Sequence, residues 1–150
     1  MPEKTADKIA EYIALPSPQD RVEQFCVRTQ HLYQNGRTVA VYAPNSADAS
    51  ELDTALWTFR QHSFIPHVRL EEADDPVIEP VVIFSDGPDD IQAEVLFVVT
   101  DGKMPAWFER FEHIFDFAPT YDDELREAAR VRYSTCKDAG YRMRFIEPGS

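Results

Sequence analysis

The chain has 150 residues, 43% hydrophobic and 12% aromatic, which suits one folded domain over residues 1–150 and excludes a disordered polymer. Its formal net charge of −12 disfavours nucleic acid as a direct ligand, because neutralising phosphates needs a positive surface. No run of about eighteen apolar residues is present for a membrane span, and the charged opening MPEKTADKIAEY lacks the apolar stretch of a secretory signal. A cytoplasmic protein with Cys26 and Cys136 as reduced thiols is therefore expected.

Residues 8–15 read as a first strand, ended by Pro16 and Pro18. In QDRVEQFCVRTQHLYQNG, Val22, Phe25, Cys26, Thr29, Leu32 and Tyr33 recur at helical spacing, with Asn35-Gly36 as the C-cap. RTVAVYAP is a buried strand, and NSADASELDTALWTF is a helix capped by Asn45 or Ser46. SFIPH and an acidic loop lead to two short apolar strands, PVVIFSDG and AEVLFVVTDG. MPAWFERFEHIFDF is predicted as a helix, with Pro105 in its first turn and Pro119 ending it. DDELREAARVRYSTCKDAGY is the last helix, capped by Asp122 or Asp123 and terminated by Gly140, and the tail RMRFIEPGS has strand character. Apolar strands alternating with helices imply an α/β domain: a three-layer α/β/α arrangement around a mostly parallel sheet.

Enzyme signatures are absent: no GxGxxG, GxxxxGK[ST], HExxH or GxSxG occurs. Two strands end in Asp-Gly, at Asp86 and Asp101, where the carboxyl ends of parallel strands form a ligand crevice. Two carboxylates there suit Mg²⁺ in a small phosphate-handling enzyme, although Asp-Gly is equally a turn signal. His62 and His67 are five apart around Pro66, which is not the spacing of a paired zinc-ligand set, and His31 and His113 fall on predicted helix faces. No metal and no cofactor are expected. Both cysteines fall on core faces, where thiols are inert.

The last helix carries a more specific pattern. At 100° per residue Leu125, Ala129 and Cys136 face the core, whereas Arg126, Arg130 and Lys137 share another face with Tyr133 between. Arg132 falls on the core side and reads as a structural ion-pair partner. Arginine binds a carboxylate through a planar fork, and a neighbouring tyrosine packs an apolar group, so this face suits an acidic peptide ending in an apolar residue and a free carboxylate. A solvated face paired with Asp122, Asp123, Glu124 and Glu127 is the alternative.

LDTALWTFRQHSFIPH, followed downstream by FDFAPTYDDELREAARVRYSTCKDAGY, resembles the chi subunit of bacterial DNA polymerase III holoenzyme. The first stretch matches that family's L-D-x-x-L-W and S-F-x-P-H, and the second its D-F-x-P, its arginine-bearing helix with R-Y, and A-G-[FY]. NGRTVAVYA fits a G-[KR]-x-V stretch, so the resemblance spans roughly residues 10–145. It implies a non-catalytic adaptor that bridges the clamp loader, through the psi subunit, to the acidic C-terminal tail of single-stranded DNA-binding protein. It implies tail binding by Arg126, Arg130, Tyr133 and Lys137, with Ala118 and Pro119 as a wall. Trp57, Phe64, Pro66 and His67 would form the side that takes psi, or in some bacteria a chi-associated helicase. Trp57 also suits the apolar face of its own helix.

Overall fold

The computed structural model describes residues 7–59, 64–74, 76–86 and 91–147. In chain order these form β1 (Ile9–Leu15), α1 (Asp20–Gln34), β2 (Val39–Tyr42), α2 (Ser46–Thr58), β3 (His67–Arg69), β4 (Val81–Phe84), β5 (Val95–Val98), β6 (His113–Pro119), α3 (Asp123–Asp138) and β7 (Arg142–Ile146). Short 3-10 turns occupy Leu70–Glu72 and Phe108–Arg110.

The caps follow the side-chain chemistry expected of them. Asn45 accepts a hydrogen bond from the Asp48 N–H at the start of α2, and Asp122 accepts one from the Leu125 N–H at the start of α3. Gly36 and Gly140 close α1 and α3 at φ 76° and 95°, a left-handed backbone in which a side chain is strained.

The strands make one seven-stranded sheet in the order β3-β4-β2-β5-β6-β1-β7. Each pairing between neighbours is parallel. β2, β4 and β5 are almost wholly apolar because both faces of the sheet are covered. One face packs Phe25 and Cys26 of α1 and Leu52 and Leu56 of α2 over Val41, Ile83, Phe97 and Phe115. The other packs Cys136 and Tyr133 of α3, with Phe108 and Phe111, over Ala10, Tyr12, Leu96 and Ile114. The three-layer α/β/α arrangement is thus present.

The segment MPAWFERFEHIFDF, predicted as the third of four helices, forms no α-helix. It makes the 3-10 turn at Phe108–Arg110 and then β6, which lies between β5 and β1. Its apolar residues fit a period of two as well as a helical one. Phe115 and Phe117 point to the α1 and α2 face, and Ile114 points to the α3 face. Pro119 is the last residue of that strand rather than a helix breaker. β3, only three residues long, has no periodicity of its own and begins at His67, the last residue of the SFIPH stretch.

Asp116 of β6 points toward α3 and meets Arg132, which is 2% exposed. Arg132 Nε donates to Asp116 Oδ2 at 2.7 Å and its Nη1 donates to the Gly102 carbonyl at 2.8 Å, while the Phe117 N–H donates to Asp116 Oδ1 at 2.7 Å. Burial alone would lower the Arg132 guanidinium, but the adjacent Asp116 charge and hydrogen bond hold it above its usual value. The Arg132 role expected from the helix wheel is therefore met. Removing one partner of such a pair strands a buried charge. Arg132→Ala is expected to lower the unfolding free energy by about 3–5 kcal/mol in urea titrations, and Asp116→Ala in the same chain should restore part of the loss.

Candidate functional site

Beside Arg132, α3 lays its outer face along the carboxyl ends of β1 and β6. Tyr12, Ala118, Pro119, Thr120, Arg126, Ala129, Arg130, Tyr133 and Phe145 line a concavity of about 400 Å3. Tyr133 is the centre of its aromatic wall. It meets Tyr12 edge-on, with ring centroids 5.3 Å apart, and stacks on Phe145 at 5.8 Å and 22°. Burial pushes the Tyr12 phenol well above its usual value, so it stays neutral behind that wall.

Two guanidiniums stand at the rim. Arg126 is 3.0 Å from Asp123 and Arg130 is 3.8 Å from Glu127, both across one helical turn and both with more than half of the side chain exposed. Such exposed pairs are weak, so either arginine can exchange its neighbour for an incoming carboxylate at little cost. Five of the six residues expected on this surface, Arg126, Arg130, Tyr133, Ala118 and Pro119, are brought together here. Lys137 is exposed on α3 but does not line the concavity. Helix periodicity alone does not reveal Tyr12 or Phe145: Tyr12 lies on β1 at the other end of the chain, and Phe145, on the strand after α3, is placed against Tyr133 by the pairing of β7 with β1.

The second expected surface lies at the other end of the sheet. Trp57 is 56% and Phe64 60% exposed, with ring centroids 5.6 Å apart. Core packing is therefore not the main role of Trp57. His67, expected on that surface, is buried instead, and Pro66 is half-buried. β3 turns the imidazole inward beneath the Trp57 ring, 4.6 Å between centroids. Its two nitrogens lie 2.7 Å from the Ile65 carbonyl and 3.2 Å from the Asp53 carbonyl, with an Asp53 carboxylate oxygen also at 3.2 Å. His67 thus ties the loop to α2 and supports Trp57 from below. The edge strands β3 and β7 are six strand spacings apart, roughly 30 Å.

The carboxylates considered for a metal do not converge in the same way. Asp86 follows β4 and Asp101 follows β5, with β2 between these strands. Asp101 already has Arg21 Nη1 3.5 Å away. Among the described residues no group of three His, Cys, Asp or Glu side chains is placed to hold a metal ion. His31 is exposed on α1, His113 bonds Glu11, and His62 lies outside the described residues. Burial pushes the thiols of Cys26 and Cys136 up to about 12 and about 11, which leaves both protonated at neutral pH. No helix among the described residues is long and apolar enough to cross a membrane.

The family model for the DNA polymerase III chi subunit, HolC, matches residues 8–144. The chain belongs to the chi-subunit family. Similar proteins named DNA polymerase III subunit chi include one from Pseudomonas aeruginosa, 26% identical and covering 87% of this chain and 90% of the relative. The Haemophilus influenzae protein is 28% identical over 79% and 81% of the two chains, and the Escherichia coli protein 25% identical over 81% and 82%. Among solved structures, the C-terminal domain of S. cerevisiae Dbp5, bound to Gle1 and IP6, overlays with a TM-score of 0.61 across 97% of this chain and 92% of that one. At 11% identity that likeness concerns the fold alone.

In this chi-family chain Phe64 and His67 are neighbours in sequence with opposite structural roles. Phe64→Ala should change the unfolding free energy by less than about 0.5 kcal/mol, as exposed substitutions do. His67→Ala should cost about 1–3 kcal/mol, because a buried ring and the N–H it offers to the Ile65 or Asp53 carbonyl are both lost. Thermal denaturation of the two variants checks the contrast.

Proposed function

We propose that this chi-family chain is a non-catalytic adaptor of the DNA polymerase III holoenzyme in the bacterial cytoplasm. On this reading it links the clamp loader, through psi, to the acidic C-terminal tail of single-stranded DNA-binding protein during DNA replication. The observation that carries the proposal is the aromatic concavity with Arg126 and Arg130 at its rim. Arg130 takes the terminal carboxylate of the tail, and Arg126 meets its Asp side chains. Tyr133, joined by Phe145, flanks the terminal Phe ring, and Ala118 and Pro119 form a neighbouring wall. Lys137, outside the concavity, acts only as a longer-range attraction on the tail.

Trp57 and Phe64, with Pro66 beside them, form the docking surface for psi, or for a chi-associated helicase in competition with it. Exposed aromatic anchors are the usual centres of such interfaces, and His67 holds Trp57 in place. No cofactor is needed. The net charge of −12 keeps the adaptor off phosphate while one basic face attracts an acidic tail.

A peptide carrying the acidic, Phe-terminated tail should bind with micromolar affinity by calorimetry, more weakly as salt rises. Arg130→Ala should remove most of that binding, a loss of about 2–5 kcal/mol. Unchanged binding by this variant, or no binding at low salt to the parent chain, would refute the tail site. The aromatic end is tested separately: Phe64→Ala should weaken psi in a pull-down while the tail peptide binds as before.

A further inference from the structure

β7 is the last strand of the sheet, and among the described residues it pairs only with β1. The Arg142 N–H donates to the Lys8 carbonyl at 2.8 Å, and the parallel register runs from Ile9 opposite Arg142 to Ile13 opposite Ile146. Alternate residues of a strand bond to the same neighbour, so Arg142, Arg144 and Ile146 serve β1. The N–H and C=O groups of Met143 and Phe145 therefore face the open side. An open row of this kind is a template for another extended segment.

The side chains along this edge sort into two rows. Phe145 points to the α3 face and lines the aromatic concavity with Tyr133. Arg144 and Ile146 point to the opposite face, where they line a second hollow of about 350 Å3 with Arg28 and the nearly buried Glu11. Burial alone would raise the Glu11 carboxyl, but His113, Arg144 and Arg28 hold it below its usual value, so the pocket keeps a fixed anion that orients the cations. Arg142 and Arg144 are 68% and 66% exposed, with Asp7 and Glu11 only at 3.8 and 3.7 Å.

Charge decides the occupant. Two copies of this edge would face each other with two arginines apiece, which opposes self-pairing. An acidic segment is attracted, in a chain whose net charge otherwise repels it. We infer that the acidic residues of the single-stranded DNA-binding protein tail add to β7 as an eighth strand. Its apolar terminus then enters the concavity beside Tyr133 and Phe145, and its carboxylates alternate onto the Arg142 and Arg144 side. The inference rests on the tail reading above and adds a backbone-mediated contact to it.

The test separates the two. Met143→Pro removes one outward N–H without touching the bonds to β1, a position where an edge strand tolerates proline. Met143→Ala removes the same side chain and keeps the N–H. In calorimetry with the acidic Phe-terminated peptide, Met143→Ala should bind within about twofold of the parent chain. Met143→Pro should bind about tenfold more weakly, the size of one or two net hydrogen bonds. If the two variants bind alike while Arg130→Ala still abolishes binding, the tail occupies the concavity alone and strand addition is wrong. If the parent chain binds no peptide, both readings fall. Should Met143→Pro not fold, amide hydrogen exchange on the parent chain decides. Saturating peptide should slow exchange at Met143 and Phe145, and unaltered exchange there would overturn the inference.

Discussion

Arg132 and Asp116 join α3 to the interior of the sheet, and the orientation of the helix follows from that contact. With Arg132 fixed inward, a helix of 3.6 residues per turn turns Leu125, Ala129 and Cys136 toward the sheet and Arg126, Arg130 and Lys137 away from it. Tyr133 falls at the boundary, one residue round from Arg132, where its ring can close the concavity against Tyr12 and Phe145. A rotation of α3 by one residue would carry Arg126 and Tyr133 together into the core or turn both away from the wall. The pair also carries Gly102, whose carbonyl takes the second Arg132 bond, so the loop after β5 is fixed by the same side chain.

The parallel sheet supplies the other constraint. Because β1 lies between β6 and β7, residues from both ends of the sequence meet under α3. Because β3 is the opposite edge, the Trp57–Phe64 pair is held a full sheet width away. The two surfaces are therefore well separated on the molecule. Each surface is also built differently: one is an aromatic hollow ringed by cations, the other an exposed aromatic pair backed by a buried imidazole.

Burial separates the uses of arginine among the described residues. Arg132 is desolvated and fully committed to Asp116. Arg126 and Arg130 are solvated and weakly engaged, which leaves them available. Arg144 is as exposed as these, yet it leans on a carboxylate that is itself nearly buried. Arg126, Arg130, Arg142 and Arg144 thus gather loosely held positive charge at the β7 end of the sheet.

Much of this was determined locally by the sequence. The caps at Asn45 and Asp122, the left-handed glycines Gly36 and Gly140, and the division of α3 into core and basic faces depend on neighbours within one or two turns, and each formed as its side chains dictate. The motifs around Trp57 and Tyr133 carried the family. Other features depended on residues distant in the chain. HIFDF suits either a helix or a strand, and its place between β5 and β1, with Asp116 under Arg132, made it β6. His67 turned inward because β3 pairs with β4 and brings its ring against Asp53 and Ile65. Phe145 joined Tyr133 because β7 pairs with β1, a contact between the two ends of the chain that local periodicity does not encode. The sequence by itself determined which residue types stand on each helix face, and the tertiary structure decided which strands stand beside them, because strand pairing is a non-local choice.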